Sequence, residues 1–344
     1  MEQALYHPEH GYYTSGQKRT GTQGDFLTPV SSGPVLGELL AAQANELYEA
    51  LKKPRRIRLI EQGADAGCLA RDLLEAIHRI HPELAKAVEL LLIEPHPRWA
   101  EKQRNTLKEA GRKARWYQSW DEIAEDDIPV FFYSCELIDS FPIRIFEHRT
   151  GTWRERWVGS EGSLFIWQDR EVDAETLTQI RRWNPPEVEG FTMEIRPASP
   201  SWVKGWAAKI THGMVLTLDY GFPAVELFSP ARSSGTLVAT RHHRRILDPL
   251  ADPGQLDLTA HVNFTELEEL GRDHGFTNHG LVDFARGLTT LAAPLLKADP
   301  GLSQPWIRNF RHLTHPSFFG HSHKILVQGK SLPASFIPSI LAKP

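Results

Sequence analysis

The sequence contains little cysteine, no long apolar run and no strong net charge, and each absence excludes a class of protein. Only Cys68 and Cys135 are cysteines among 344 residues, which excludes a disulfide framework and a cysteine-based zinc cluster. No apolar run reaches the roughly 18 residues of a membrane-spanning helix, so no membrane span is expected. The net charge of −4 argues against a protein held to nucleic acid by bulk charge.

The remaining composition is that of an ordinary globular protein. Hydrophobic residues make up 41% and charged residues 24% of the chain. The opening MEQALYHPEH lacks the basic and then apolar pattern of a secretory signal, and a cytoplasmic location is therefore expected. No metal site is expected, because the close histidine pairs lack a metal-binding spacing: His7 and His10, His242 and His243, and His321 and His323.

Apolar segments alternate with helical patterns over the first half of the chain. A strand at 56–61 is followed by a helix at 67–80, a strand at 88–94 and a helix at 97–110. Two further strands are predicted at 114–117 and 129–135. Strands that are apolar throughout and separated by helices are typical of a parallel sheet covered on both faces. The sequence therefore predicts an α/β fold with a mainly parallel sheet.

Other segments depart from this alternation. A short helix at 1–6 precedes a long ordered loop to residue 37 and a helix at 37–52. Antiparallel strands are predicted at 143–148 and 154–158, around the turn Arg149-Thr150-Gly151. Further elements are predicted at 191–196 (strand), 202–210 (helix), 212–220 (strand), 264–274 (helix, with Thr265 and Glu268 as a capping box), 283–296 (helix) and 325–327 (strand).

A glycine-containing turn joins the first strand to the following helix. It reads Glu61-Gln62-Gly63-Ala64-Asp65-Ala66-Gly67, and the next strand ends at Glu94. Glycines there allow close approach of a ligand to the backbone, and an acid on the second strand can hold the ribose hydroxyls of a nucleoside. Alternatively, Gly63 and Gly67 are only turn residues and Glu94 is a solvated strand end.

Asp65 occupies the middle position of this turn. A side chain there intrudes where a cofactor would pass, and its negative charge would repel a nearby carboxylate unless it turns outward.

Two further groups of polar residues follow buried strands. Glu136 and Asp139 come after the strand at 129–135, where they could bind a cationic group such as a guanidinium through paired hydrogen bonds. Asp139 could instead cap a short helix. Asp219 and Tyr220 end the strand at 212–220. Because ligands of open parallel sheets bind at the carboxyl ends of the strands, these residues are candidates for the same cleft.

Taken together, these motifs resemble the MidA-like family of class I S-adenosylmethionine-dependent methyltransferases, which includes the mitochondrial complex I assembly proteins and their bacterial relatives. The resemblance spans roughly residues 4–330. It rests on Ala4-Leu5-Tyr6, Gly11-Tyr12-Tyr13, Gly24-Asp25-Phe26-Leu27-Thr28, Glu61, Gly63, Gly67, Glu94, Gln103, Glu136, Asp139, Pro142, Asp219-Tyr220-Gly221, Gly235-Thr236-Leu237, Pro253-Gly254, Asp257-Leu258-Thr259-Ala260-His261-Val262 and Phe264.

The resemblance implies a Rossmann-like methyltransferase core and S-adenosylmethionine as cofactor. It implies that Glu61, Gly63 and Gly67 line the methionine and ribose side of the cofactor and that Glu94 holds the ribose. The complete candidate cofactor set is Glu61, Gly63, Asp65, Gly67, Glu94, Gly24, Asp25 and Thr28. The candidate catalytic residues are Glu136, Asp139, Asp219 and Tyr220.

The same resemblance suggests a division into parts. An N-terminal helix and ordered loop (1–37) would lie over the active site of a core formed by 38–142 and 212–330. An inserted α+β subdomain at 143–211 would bind substrate or partner, and 331–344 would be a tail. Five of the ten tryptophans lie in the insertion, where exposed rings would suit a protein interface, including that of a homodimer.

The first functional hypothesis is methyl transfer from S-adenosylmethionine to a protein side chain, most plausibly arginine, with a respiratory-complex subunit among the candidate partners. The second is a catalytically weak or inactive assembly factor, which the departures from the family pattern at Ser31, Asp65, His96 and Cys135 favour. A nicotinamide-dependent oxidoreductase shares the glycine turn and the ribose acid, but the sequence offers no clear acid for hydride transfer.

Overall fold

The computed structural model describes residues 1–15, 21, 24–25, 27–298 and 301–342. Within these residues the strands are, in chain order, β1 (Ile57–Gln62), β2 (Val88–Ile93), β3 (Arg115–Tyr117), β4 (Val130–Cys135), β5 (Arg144–Arg149), β6 (Thr152–Glu161), β7 (Leu164–Glu171), β8 (Thr192–Ile195), β9 (Gly213–Phe222), β10 (Val238–Arg241), β11 (Arg244–Ile246), β12 (Asp257–Thr259), β13 (Val262–Asn263), β14 (Thr277–Asp283) and β15 (His323–Lys330).

Helices lie between many of these strands in the described part of the chain. In chain order they are α1 (Glu2–Tyr6), α2 (Val35–Ala50), α3 (Cys68–Ile80), α4 (Pro82–Ala87), α5 (Pro97–Glu109), α6 (Ala174–Arg181), α7 (Ser199–Lys209), α8 (Ala224–Leu227), α9 (Phe264–Asp273), α10 (Phe284–Ala298), α11 (Gln304–Thr314) and α12 (Phe319–Ser322). In the described part of the chain, no helix combines the length and the apolar character that crossing a bilayer requires.

The chain divides into two compact units. The first comprises Met1–Leu27, Ile138–Pro200 and Gly221–Glu266. The second comprises Thr28–Leu137, Ser201–Tyr220 and Leu267–Pro344.

The second unit contains a mainly parallel sheet, which confirms the predicted α/β class. Its strand order is β14-β15-β9-β4-β1-β2-β3. Neighbouring strands from β9 to β3 are parallel, whereas β15 runs antiparallel to both β9 and β14. All six residues of β4 are buried, as its continuously apolar sequence predicted for a strand covered on both faces.

Helices α2, α3 and α10 pack on this sheet around one apolar core. In α3 the predicted face is buried at Leu69, Leu73, Leu74 and Ile77, whereas Ile80 at the end of the helix is 41% exposed. A Cβ at Gly37 in α2 would lie 2.7 Å from Asp72 Cβ, so this glycine permits the close approach of α2 to α3.

The first unit contains two smaller antiparallel sheets. One has the order β7-β6-β5-β8, and its β5–β6 hairpin confirms the predicted strands around Arg149-Thr150-Gly151. Phe146, Trp153 and Phe191 form part of the core against this sheet. The other has the order β11-β10-β12 and packs on N-terminal residues, with Leu5 and Tyr12 in its core. The functional division of the chain into the predicted ranges stays a prediction.

Several local predictions were wrong. Strand β7 was not predicted because it is an edge strand with little burial on either face, and β14 and α11 were also missed. The capping box is absent: Asn263 Oδ1 accepts the Glu266 N–H at 3.3 Å, while Thr265 Oγ1 accepts the Ala224 N–H at 2.9 Å.

The tryptophans of the predicted insertion are not gathered on a surface. Trp153 is 2% exposed and Trp202 is 8% exposed, because both lie in apolar cores, and Trp206 just beyond them is fully buried. Trp157 is 41% exposed, and Trp167 and Trp183 are partly exposed. Part of the aromatic excess of this region therefore fills cores.

Candidate functional site

The glycine turn leaves β1 and ends at the N-terminus of α3. Gly63, Asp65 and Gly67 have φ values of 79°, 46° and 82°, in the left-handed region. A Cβ at Gly63 would lie 2.9 Å from Leu137 Cδ1, and one at Gly67 would lie 3.3 Å from Gln103 Cα. Both glycines are thus required by backbone conformation and by close packing, and the turn leads into the N-terminus of α3, whose first N–H groups have no partner within the helix itself.

Asp65 is solvent-exposed in this turn. Its left-handed backbone is one that aspartate tolerates better than most residues. Its carbonyl oxygen accepts a hydrogen bond from Gln103 Nε2 at 3.0 Å. Its charge nevertheless reaches the neighbouring acids, since it contributes to raising the pKa of both Glu61 and Glu94.

Glu61 lies beneath the turn rather than on its surface. It is 2% exposed and accepts a hydrogen bond from the Tyr133 hydroxyl at 3.0 Å. Burial raises the pKa of Glu61 to about 8, against the opposing effects of Tyr133 and the Ala70 N–H. These contacts brace β1 against β4 and the first turn of α3. The predicted contact of Glu61 with a cofactor stays a prediction.

Glu94 follows β2 directly, at the carboxyl edge of the sheet. Its Oε1 accepts the His96 N–H at 2.9 Å, and its Oε2 accepts Gln103 Nε2 at 3.0 Å. Burial is the main cause that raises the pKa of Glu94 to about 7. A carboxylate oriented by two N–H donors still has lone pairs that can accept ribose hydroxyl protons.

Gln103 in α5 connects the glycine turn to Glu94 at the end of β2. Its side chain is fully buried, and its Nε2 donates to both Asp65 O and Glu94 Oε2. Its Oε1 accepts Trp116 Nε1 at 3.0 Å. The family resemblance included Gln103, but its connecting role could not be derived from the sequence because α5 must first fold against β2 and β3.

Glu136 lies at the end of β4, next to the glycine turn. The following residue, Leu137, is the one that packs on Gly63. The Glu136 N–H donates to Leu218 O at 2.9 Å, and the Glu136 carboxylate lies 2.7 Å from His323 Nε2. The structure thus brings Glu136 to the same sheet edge as Gly63, as expected.

Asp219 and Tyr220 lie near the end of β9 in the same unit. Asp219 is 1% exposed, and its Oδ1 accepts the Tyr220 N–H at 2.9 Å. The Tyr220 ring lies 5.4 Å from the His323 ring, measured between centroids. His323 was predicted to be a surface or core residue, and sequence reasoning missed its contacts with two candidate residues.

Asp139 belongs to the first unit. Residues 136–141 form a turn, so Asp139 does not cap a helix there. Its carbonyl oxygen accepts the Ala260 N–H at 3.0 Å, and Arg196 donates to Ala260 O at 2.6 Å. Asp139 is 5% exposed, and its charge helps to raise the pKa of Tyr6, which burial raises most.

Gly24 and Asp25 also belong to the first unit, and both are buried. The Asp25 carboxylate accepts the Tyr12 hydroxyl at 2.8 Å and the His242 N–H at 2.9 Å. These bonds tie the N-terminal residues to the turn between β10 and β11. The predicted cofactor contact of Asp25 stays a prediction.

Thr28 lies in a local turn before α2, in the second unit. It exchanges hydrogen bonds with Ser31: Thr28 N–H donates to Ser31 Oγ at 2.8 Å, and Ser31 N–H donates to Thr28 Oγ1 at 3.0 Å. Its cofactor role stays a prediction. Phe26 of the same motif lies outside the described residues.

Comparison with known proteins identifies relatives of this chain. Residues 39–282 match a sequence model of the family of S-adenosyl-L-methionine-dependent methyltransferases. The chain is 24% identical to the mitochondrial protein arginine methyltransferase NDUFAF7 homolog of Drosophila melanogaster, over 80% of this chain and 66% of that protein. It is 25% identical to mitochondrial NDUFAF7 of Rattus norvegicus, over 93% of this chain and 77% of that protein.

The chain spans slightly less than two thirds of the length of the Drosophila relative. A crystal structure from Burkholderia thailandensis, bound to S-adenosyl-homocysteine, resembles this fold with a TM-score of 0.87. The two sequences are 25% identical, and the likeness covers 99% of this chain and 89% of that chain.

These names correct one expectation. The Drosophila and rat relatives are mitochondrial proteins, which contradicts the predicted cytoplasmic location. The prediction failed because an ordinary globular composition is shared by proteins of many compartments.

The family model covers well over half of the chain, and the mainly parallel sheet is the one that the resemblance implied. The chain belongs to the MidA-like family of S-adenosyl-L-methionine-dependent methyltransferases.

Proposed function

We propose that this chain transfers a methyl group from S-adenosylmethionine to an arginine side chain of a protein. The observation that carries the proposal is the arrangement around Gln103, which holds the glycine turn and Glu94 together at the carboxyl edge of the sheet. The S-adenosyl-homocysteine bound in the Burkholderia thailandensis structure and the names of the NDUFAF7 relatives support the same activity.

The residues present fit this cofactor by their chemistry. Gly63 and Gly67 adopt left-handed conformations in the turn that leads into the N-terminus of α3, the kind of turn at which a nucleoside cofactor can meet backbone N–H groups. Glu94 would accept the ribose hydroxyl protons, and the start of α3 offers N–H groups to a carboxylate. When bound, S-adenosylmethionine supplies an electrophilic methyl group.

Glu136 would orient the substrate. A carboxylate binds a guanidinium through paired, charge-assisted hydrogen bonds, which fix the plane of the accepting nitrogen. Its place beside the residue that packs on Gly63 supports this role. Holding two reactants in a productive geometry is the main contribution expected from such a site.

We further propose that the substrate is a protein, with a respiratory-complex subunit as a candidate. In this proposal the core segments 38–142 and 212–330 bind the cofactor, and residues 143–211 contact the protein substrate. Self-association as a homodimer is a separate proposal, and the exposed side chains Trp157 and Phe165 in the β6–β7 hairpin support an interface there.

The experiment is methyl transfer with the whole chain. S-adenosylmethionine carrying a labelled methyl group is incubated with a mixture of arginine-containing peptides and, separately, with the same peptides carrying lysine for arginine. Labelling of the arginine set alone supports the proposal. Cofactor binding without transfer to either set contradicts it and supports the alternative, an interaction factor that has lost catalysis.

A further inference from the structure

Glu136 has a buried partner that comes from the far end of the sequence. His323 Nε2 lies 2.7 Å from Glu136 Oε1, and the two side chains are 6% and 12% exposed. The residues are 187 positions apart. A hydrogen bond between an imidazole and a carboxylate in so enclosed a place fixes the carboxylate more firmly than a solvated contact would.

The sheet topology explains how His323 reaches this position. Strand β9 is parallel to β4, with Leu218 beside Cys135. Strand β15 is antiparallel to β9, and its first residue, His323, pairs with Tyr220. The amino end of β15 therefore lies at the edge where the parallel strands end, which is where ligands of such sheets bind.

The backbone of Glu136 is constrained as well. Its φ of 50° is in the left-handed region, which is unfavourable for glutamate, and its N–H donates to Leu218 O at 2.9 Å. Unfavourable backbone conformations persist where the surrounding structure determines them, and they are concentrated at functional sites. At Glu136 the backbone leaves the extended conformation of β4, and the next residue, Leu137, packs on Gly63.

His323 is itself held in place. Its Nδ1 lies 2.9 Å from Ser322 Oγ. The rings of Tyr220, Phe284 and Phe319 surround the imidazole, with centroid distances of 5.4, 5.3 and 5.1 Å. Because these rings restrict the rotation of the imidazole, the imidazole can in turn hold the Glu136 carboxylate in one orientation.

We infer that His323 is a positioning residue of the substrate site, which holds the Glu136 carboxylate ready to receive a guanidinium group. The inference rests on the proposed function. A carboxylate that is already oriented loses little conformational freedom when the substrate binds, so its alignment by His323 strengthens substrate binding more than cofactor binding.

The test compares two replacements of His323 in the full chain. H323Q keeps an N–H donor near the position of Nε2, whereas H323F keeps a ring without a donor. We expect H323F to raise KM for an arginine peptide about tenfold or more, and H323Q to restore it to within about threefold of the wild type. The affinity for S-adenosyl-homocysteine should stay unchanged in both. H321Q, two residues away at an exposed histidine, is the matched control.

A double-mutant cycle separates positioning from general damage. In an E136Q background, H323F should have little additional effect on KM, because the carboxylate that it positions is already lost. Equal effects of H323F with and without Glu136 would overturn the inference, as would an H323Q variant as impaired as H323F. If H323F does not fold, H323A, which also lacks a donor, replaces it in the cycle with E136Q, with the same non-additivity expected.

A measurement without turnover tests the contact itself. In ¹⁵N NMR of the imidazoles, E136Q should shift the Nε2 resonance of His323 and leave that of His321 unchanged. An unshifted resonance overturns the inference whether or not methyl transfer occurs. Absence of transfer by the wild type, with the NMR shift present, overturns the proposed function and the substrate role of His323 together.

Discussion

Gln103 Nε2 lies 3.0 Å from Glu94 Oε2, and the same nitrogen lies 3.0 Å from Asp65 O. One fully buried amide therefore sets the separation between the glycine turn and the strand-end acid. Trp116 Nε1 fixes the other end of this amide by donating to its oxygen. Since the group is buried, water cannot replace a bond that is lost.

Replacing Gln103 with leucine should weaken cofactor binding. The change removes both donors and leaves Trp116 Nε1 without its acceptor, so we expect the affinity for S-adenosyl-homocysteine to fall by about 1–3 kcal/mol. Calorimetric titration measures the loss. Gln43, equally buried in α2 and bonded to Glu46, is the matched control: Gln43→Leu should lower thermal stability and leave the affinity unchanged. An equal loss of affinity in both variants contradicts the assigned role.

Replacing Glu94 with alanine should also weaken nucleoside binding. We expect a loss of about 1–3 kcal/mol, the usual scale for hydrogen bonds to a charged group. Competition between S-adenosyl-homocysteine and adenosine locates the loss on the nucleoside part. Glu89→Ala, within β2 itself but paired with Arg56 at the surface, should have no effect. Unchanged affinity in Glu94→Ala removes Glu94 from the site.

Two replacements of Asp65 separate its charge from its bulk. Asp65→Asn removes the charge and keeps a side chain that tolerates the left-handed backbone, whereas Asp65→Gly removes both. Because Asp65 is exposed while its charge reaches Glu94, we expect both variants to bind S-adenosylmethionine more tightly, to a similar extent. Tighter binding in Asp65→Gly alone would assign the effect to bulk, and no gain in either variant would show that Asp65 is accommodated.

The buried carboxyl of Glu61 should make stability depend on pH. Burial raises its pKa to about 8 in the folded chain, above its value of about 4.5 when unfolded. The folded state thus binds more protons at this group between these values. The contribution of Glu61 to stability is therefore fully present below about pH 4.5 and is lost as the pH rises toward 8.

Glu61→Gln removes this titration and keeps an acceptor for the Tyr133 hydroxyl. Relative to this variant, the wild type should lose on the order of 2–3 kcal/mol of unfolding free energy between pH 5.5 and 8. Urea unfolding at several pH values measures the difference. Parallel pH dependence of the two proteins would show that the Glu61 carboxyl keeps an ordinary pKa in the folded chain.

The sequence predicted those parts of the fold whose pattern is local. Strands β2 and β4 are mainly apolar, β1 carries the apolar residues Ile57, Leu59 and Ile60, and the glycine turn and Glu94 come directly after β1 and β2. These features depend on neighbours along the chain, so periodicity and strand-end positions suffice to locate them.

Other parts depend on contacts between distant segments. His323 could not be recognised because its role requires the antiparallel pairing of β15 with β9, and it lies beside His321, which is exposed. Trp153 and Trp202 looked like surface residues because the sequence does not show which face of their elements is covered. The helix cap at Asn263 was missed because Thr265 accepts a bond from Ala224 instead.

The most direct test of the account is calorimetric titration of the full chain with S-adenosyl-homocysteine, followed by the same titration of Glu94→Ala and Gln103→Leu. We expect one binding site in the wild type, weakened in both variants by about 1–3 kcal/mol. Absence of binding by the wild type at millimolar ligand, or equal affinity in all three proteins, would contradict it.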